Sequence, residues 1–154
     1  MVKRSRDELA SVEEERIIEL LQKDARIPLA KIAKLVGLSE NTVRKRIEKL
    51  IKQGYIRNFA LLLNPKKFGK NVKAIFLIST ELIKAKDCMR QLKKMPQIIN
   101  LYFTTGEYSI LAVGLFDDDE DLNKFLINRL SKLDIHQYNV ITVLDKIKEC
   151  YFEI

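Results

Sequence analysis

Apolar residues recur at helical spacing through the first third of the chain, then alternate between strand and helix spacing. In SVEEERIIELLQKDAR, Ile17, Ile18, Leu21 and Ala25 form one stripe, and Ser11 ahead of a run of glutamates suits a helix N-terminus. In PLAKIAKLV, Leu29, Ile32, Ala33 and Val36 follow the i, i+3, i+4, i+7 rule, with Pro28 suited to a first turn. Gly37 breaks the pattern. Ser39 then caps a third helix through ENTVRKRIEKLIKQ, Leu38 can staple onto Val43, and Gly54 suits its end.

The next stretch, YIRNFALLLNPKKFGKN, reads as a short β-prone run and a basic turn. Beyond it, VKAIFLIST reads as a strand and KAKDCMRQLKKM as a helix with Ala85, Cys88, Met89, Leu92 and Met95 on one face. IINLYFTT and YSILAVGLF form a hairpin around Gly106. DDDEDLNKFLINRLSKL supplies a second helix with Leu122, Phe125, Leu126, Leu130 and Leu133 inward, and HQYNVITVLDKIKECYF a final strand. The fold class is therefore α+β. Residues 1–54 are a helix-turn-helix (winged-helix-like) domain, 55–70 a linker strand and turn, and 71–154 a ferredoxin-like βαββαβ domain. Two helices cover one face of such a sheet, yet AIFLI and SILAVGLF are apolar on both faces. A second copy of the sheet is the simplest cover, so at least a homodimer is expected.

Charge separates the same two parts. The chain has 154 residues and a net charge of +7. Residues 1–70 carry 17 Lys and Arg against 9 Asp and Glu, whereas residues 71–154 carry 11 against 12. A basic block beside a near-neutral one suggests a polyanion-binding module joined to something else. The longest apolar runs fall far short of the roughly 20 residues that span a bilayer, so no membrane association is expected. The basic start MVKRSRDELAS leads into polar residues rather than an apolar stretch, and a cytoplasmic location is expected.

The third helix concentrates the candidate chemistry. Val43, Ile47, Leu50 and Ile51 share one side and must pack on the first two helices. At about 100° per residue, Asn41, Lys45, Glu48, Lys49 and Lys52 project to the opposite side, flanked by Arg44 and Arg46, with Thr42 near its N-terminal edge. Base readout is expected from Asn41, Thr42, Arg44 and Lys45 near the helix start, where Ser39 caps it. Phosphate contacts are expected from Arg46, Lys49 and Lys52 farther along.

TTGEYSI also offers chemistry. Gly106 permits positive φ in a two-residue turn, turn amides can accept a carboxylate, and Thr104, Thr105 and Ser109 bring hydroxyls. On the residues alone, a plain hairpin turn is the preferred reading. The single histidine, His136, reads as structural, Cys88 as core, and Asp117–Asp121 as acids favoured at a helix N-terminus rather than a metal site. No phosphate-binding loop, zinc signature or nucleophile elbow is present, so neither enzyme nor cofactor is expected.

The run DARIPLAKIAKLVGLSENTVRKRIEKLIKQGYI resembles the DNA-binding half of the Lrp/AsnC transcriptional regulators, which read DAR, IA, VGLS, V-x-x-RI and G-x-I at matching spacing. NP-x-x-x-G resembles their linker, and the βαββαβ part their regulatory domain. The resemblance implies a regulator of double-stranded DNA with a pseudo-palindromic operator. It also implies dimers that assemble into tetramers or octamers, and an amino-acid effector near a T-G-x-Y-[DS] segment. Here that segment is Thr105, Gly106, Glu107, Tyr108 and Ser109, preceded by Thr104; Ser109 replaces the family's common Asp and leaves Glu107 as the nearest acid in sequence. Two alternatives share the architecture: an architectural DNA-binding protein without effector, and an enzyme resembling the sirohaem decarboxylases.

Overall fold

The computed structural model describes residues 11–148; the start of the predicted N-terminal domain, 1–10, and the end of the predicted final strand, 149–154, lie outside them. The chain divides after Leu62 into two compact units.

The first unit holds three helices, α1 (Val12–Lys23), α2 (Leu29–Val36) and α3 (Glu40–Lys52). A reciprocal capping box starts α1: the Glu14 amide donates to Ser11 Oγ, and the Ser11 amide donates to the Glu14 carboxylate. The helix stops before Ala25, because Asp24 accepts the Arg26 amide at 2.9 Å and turns the chain. Ala25 is therefore exposed rather than part of the stripe. Gly37 takes φ +75° at the α2–α3 turn, where its amide and that of Leu38 both donate to the Ala33 carbonyl. Ile17, Ile32 and Val43 are fully buried, and Leu38, Ile47 and Ile56 pack around them. Ile51 departs from its predicted inward side and is 43% exposed, one position beyond the buried Leu50.

The predicted linker strand is not seen: residues 55–63 form no strand ladder among the described residues. The basic turn is a 3₁₀ segment, Pro65–Phe68, capped by Asn64 and closed by Gly69 at φ +79°.

The second unit is a four-stranded antiparallel sheet in the order β2-β3-β1-β4, built from β1 (Val72–Ser79), β2 (Ile98–Phe103), β3 (Ile110–Phe116) and β4 (Gln137–Thr142). Helices α4 (Leu82–Leu92) and α5 (Asp119–Asn128) follow β1 and β3, as in a ferredoxin-like fold. The second predicted helix is cut at Arg129, after which Leu130–Lys132 continue as 3₁₀. Strand alternation turns Ala74, Phe76, Ile78, Ile110, Ala112 and Phe116 into the core beneath Ala85, Cys88, Leu92, Leu122 and Phe125. Ile75, Leu77, Leu111, Val113 and Leu115 point to the other face and remain partly exposed, with Tyr102 and Ile141 in register beside them.

Three rings, Phe76, Phe116 and Phe125, meet with centroids 5.2–6.0 Å apart. Gly114 faces them, and a Cβ there would lie 2.8 Å from Phe116 Cε2 and 3.1 Å from Phe76 Cε2. Gly114→Ala is expected to destabilise the protein by about 1–3 kcal/mol through overpacking, read as a lower urea midpoint at unchanged slope.

Candidate nucleic-acid interface and effector loop

The α3 face is set by the cap and the core contacts below it. Ser39 Oγ accepts the Thr42 amide at 3.1 Å and lies 2.8 Å from Thr42 Oγ1, so both hydroxyls are engaged with each other at the helix start. Val43 and Leu50 are fully buried, which turns Asn41, Arg44, Lys45, Glu48 and Lys52 outward as exposed residues. Arg44, Lys45 and Lys52 form no ion pair among the described residues.

Arg46 and Lys49 stand differently. Arg46 Nη1 donates to Ser11 Oγ at 3.0 Å and lies 3.6 Å from Glu13 Oε2, while Lys49 Nζ lies 2.9 Å from Glu14 Oε1. Lys49 thus stays exposed, as helical projection placed it, while its ammonium leans to Glu14 on α1. Glu14 escaped the sequence reading, although the Ser-x-x-Glu spacing signalled its role; its side chain is 5% exposed beside an ammonium that is 54% exposed. Burial pushes the Glu14 pKa up, but the Lys49 ammonium and the Ser11 amide outweigh it and hold the carboxyl below its ordinary 4.5.

In the second unit, TTGEYSI connects β2 to β3 through a wider turn than the two-residue one expected. The Thr104 amide donates to the Ser109 carbonyl at 2.8 Å, and Thr104 Oγ1 donates to the Tyr108 carbonyl at 2.6 Å. Four residues, 105–108, thus lie between the closing pair. Gly106 takes φ +101°, a value costly for any residue with a Cβ. Thr105, Gly106 and Glu107 are exposed at the tip. Ser109 is 8% exposed, and its hydroxyl donates inward to the Thr80 carbonyl at 3.4 Å, away from the tip. Tyr108 reaches across the sheet: its phenol oxygen accepts from the Asn139 amide at 2.6 Å, on the strand face opposite the helices, where Asn139 pairs with Leu77. Neither Asn139 nor Thr80 drew notice in the sequence, since a polar residue in a strand names no partner by itself.

The other singled-out groups are engaged. His136 is not without an acidic neighbour, as its Nε2 lies 3.4 Å from Glu81 Oε1. Asp118 caps α5 by accepting the Asp121 amide, Asp121 accepts the Asp117 amide, and Asp117 pairs with Lys70 at 2.6 Å. Burial pushes the Cys88 thiol up to about 11, so it stays protonated at neutral pH. A concavity of about 230 Å³ is lined by Ile83, Lys84, Asp87, Cys88, Gln91 and Asp134, and none of residues 104–109 borders it. Among the described residues, no His, Cys, Asp and Glu grouping suits a metal, and no helix is long and apolar enough to cross a membrane.

Comparison with known proteins covers both units. Residues 14–57 match a family described as winged helix-turn-helix DNA-binding, and residues 73–151 match the Lrp/AsnC ligand binding domain. The HTH-type transcriptional regulator LrpA of Pyrococcus horikoshii is 35% identical, over 86% of this chain and 94% of its own length. The structure of Escherichia coli AsnC superposes with a TM-score of 0.89 at 25% identity, covering 95% of this chain and 99% of that one. A Neisseria meningitidis transcriptional regulator solved in complex with L-Met superposes with a TM-score of 0.84 at 22% identity, covering 92% and 94%.

Because its folded pKa is depressed, Glu14 contributes stability that is complete above its ordinary value of 4.5 and is lost as pH falls through the lower folded value. Glu14→Gln is expected to cost about 1–2 kcal/mol at neutral pH and to flatten the acid limb of stability against pH. Urea titrations of both proteins between about pH 6 and pH 3 measure this.

Proposed function

The chain belongs to the Lrp/AsnC family of DNA-binding transcriptional regulators, and from that premise we propose that it reads a pseudo-palindromic operator with α3 and responds to an amino acid. The observation that carries the reading is the outward face of α3, where Asn41, Arg44 and Lys45 stand exposed above a buried Val43–Leu50 seam. Asn, Arg and Lys offer the donors and acceptors that read purine edges in the major groove, and Lys52 is set for a phosphate. Thr42 contributes through the methyl it keeps free while its hydroxyl meets Ser39. The protein acts by binding rather than by catalysis, in the cytoplasm.

The effector is taken by the tip of the 104–109 loop. Its amides and the Thr105 hydroxyl suit a carboxylate, and Glu107 suits an ammonium, the two charges every amino acid carries. The Neisseria meningitidis neighbour bound to L-Met supports this class of ligand. Ser109 serves as an anchor of the loop, not a ligand contact. A homodimer forms over the sheet face that the helices leave open, and dimers assemble further into tetramers or octamers. A dimer sets two α3 helices in successive major grooves, about 10 base pairs apart or a multiple of that.

Selection of bound duplexes from a random pool, with and without a panel of amino acids, tests the whole reading. A consensus that shifts with one amino acid is expected; a broad AT preference blind to all of them indicates an architectural protein instead. Arg44→Ala and Lys45→Ala are each expected to cost about 1–3 kcal/mol on the selected operator and less on random DNA. Glu107→Gln is expected to weaken the effector response about tenfold while leaving effector-free DNA binding unchanged, measured by titrating amino acid against a labelled operator.

A further inference from the structure

The basic residues of α3 fall into two sets. Arg44, Lys45 and Lys52 stand outward, without ion pairs among the described residues. Arg46 and Lys49, three residues apart and so on one flank of the helix, are met by the first turn of α1. The two grips differ in strength. Lys49 pairs with a carboxylate that is 5% exposed and also accepts the Ser11 amide, so releasing it would leave a buried charge short of its partner. Arg46 shares one nitrogen between Ser11 Oγ and a Glu13 carboxylate that is 49% exposed, a looser and more solvent-screened hold.

We infer that the acidic first turn of α1 withholds Arg46 and Lys49 from DNA, so that these two residues position α3 and its outward face alone meets the duplex. Glu13 and Glu14 then restrain non-specific affinity, because cations engaged by protein carboxylates release no counterions from DNA phosphates. The inference deepens the reading of α3 as the DNA-contacting helix and rests on it. It also divides labour within one short sequence, RKRIEK: Arg44 and Lys45 face the ligand, and Arg46 and Lys49 face the domain.

Binding of the full chain to a labelled non-operator duplex, followed by anisotropy across a salt series, tests the inference. Each phosphate contact contributes about 0.9 to the slope of log K against log salt. Lys52→Met is expected to lower that slope by about 0.9, whereas Arg46→Met and Lys49→Met leave it unchanged. Glu13→Gln is expected to steepen it by about 0.9 and to tighten binding about 8-fold at 0.1 M salt. Glu15→Gln removes the same charge from the same turn at a residue with no ion pair among the described residues, and is expected to leave the slope unchanged. Glu13→Gln and Arg46→Met carry the test even where Lys49→Met fails to fold.

A slope that falls with Arg46→Met as it does with Lys52→Met makes Arg46 a phosphate contact and overturns the inference. Equal effects of Glu13→Gln and Glu15→Gln overturn it as well, since bulk charge then suffices. If Lys52→Met also leaves the slope unchanged, α3 is not the contacting helix, and the functional reading falls with the inference.

Discussion

Two helices can seal only one face of a four-stranded sheet, and most of the second unit follows from that limit. α4 and α5 bury Phe76, Phe116, Phe125 and the small residues between them, with Gly114 kept bare so that the rings can meet. The same strands must then show Ile75, Leu77, Leu111 and Val113 on the other side, because side chains alternate along a strand. A half-exposed apolar sheet face is costly in water, and in the proposed homodimer a second copy covers it. Tyr108 ties the 104–109 loop to that same face through Asn139. The loop is thus joined to the face over which the homodimer is proposed to form.

The first unit works under a different limit. A three-helix domain this small has a thin core, here Ile17, Leu21, Ile32, Ala33 and Val43, and must draw on caps and paired charges as well. Glu14 supplies both, since it closes the α1 capping box and accepts Lys49. The proposed DNA contact asks for cations on α3, while stability draws on two of them internally. The RKRIEK stretch meets both demands by placing them on different flanks of one helix.

How much of this could be read from sequence follows the range of each interaction. Helix and strand periodicity is local, and it foretold all three N-terminal helices, the βαββαβ order and the inward sets around Cys88 and Phe125. Ala25 and Ile51 failed because a cap or one step of rotation at a helix edge decides burial, and periodicity does not resolve a single step. Residues 55–63 were β-prone by composition, but a strand also needs a ladder partner, which composition does not provide. Projection treats a helix as isolated, so it gave no sign that the exposed Lys49 meets Glu14 of α1, 35 residues earlier. Ser109 and Tyr108 were recognised as a segment, whereas their partners Thr80 and Asn139 lie 29 and 31 residues away and left no sign.

The anchoring of the 104–109 loop has an evolutionary consequence. Three of its fastenings end on main-chain carbonyls, those of Ser109, Tyr108 and Thr80, and any residue type can supply a carbonyl. Thr104, Tyr108 and Ser109 need hydroxyls, and only Gly106 needs its freedom from a Cβ. Thr105 and Glu107 carry no such duty. Mutation can therefore drift through the tip without loosening its base, and under the proposed effector role descendants of one scaffold would come to answer different metabolites while their sheet stays as it was.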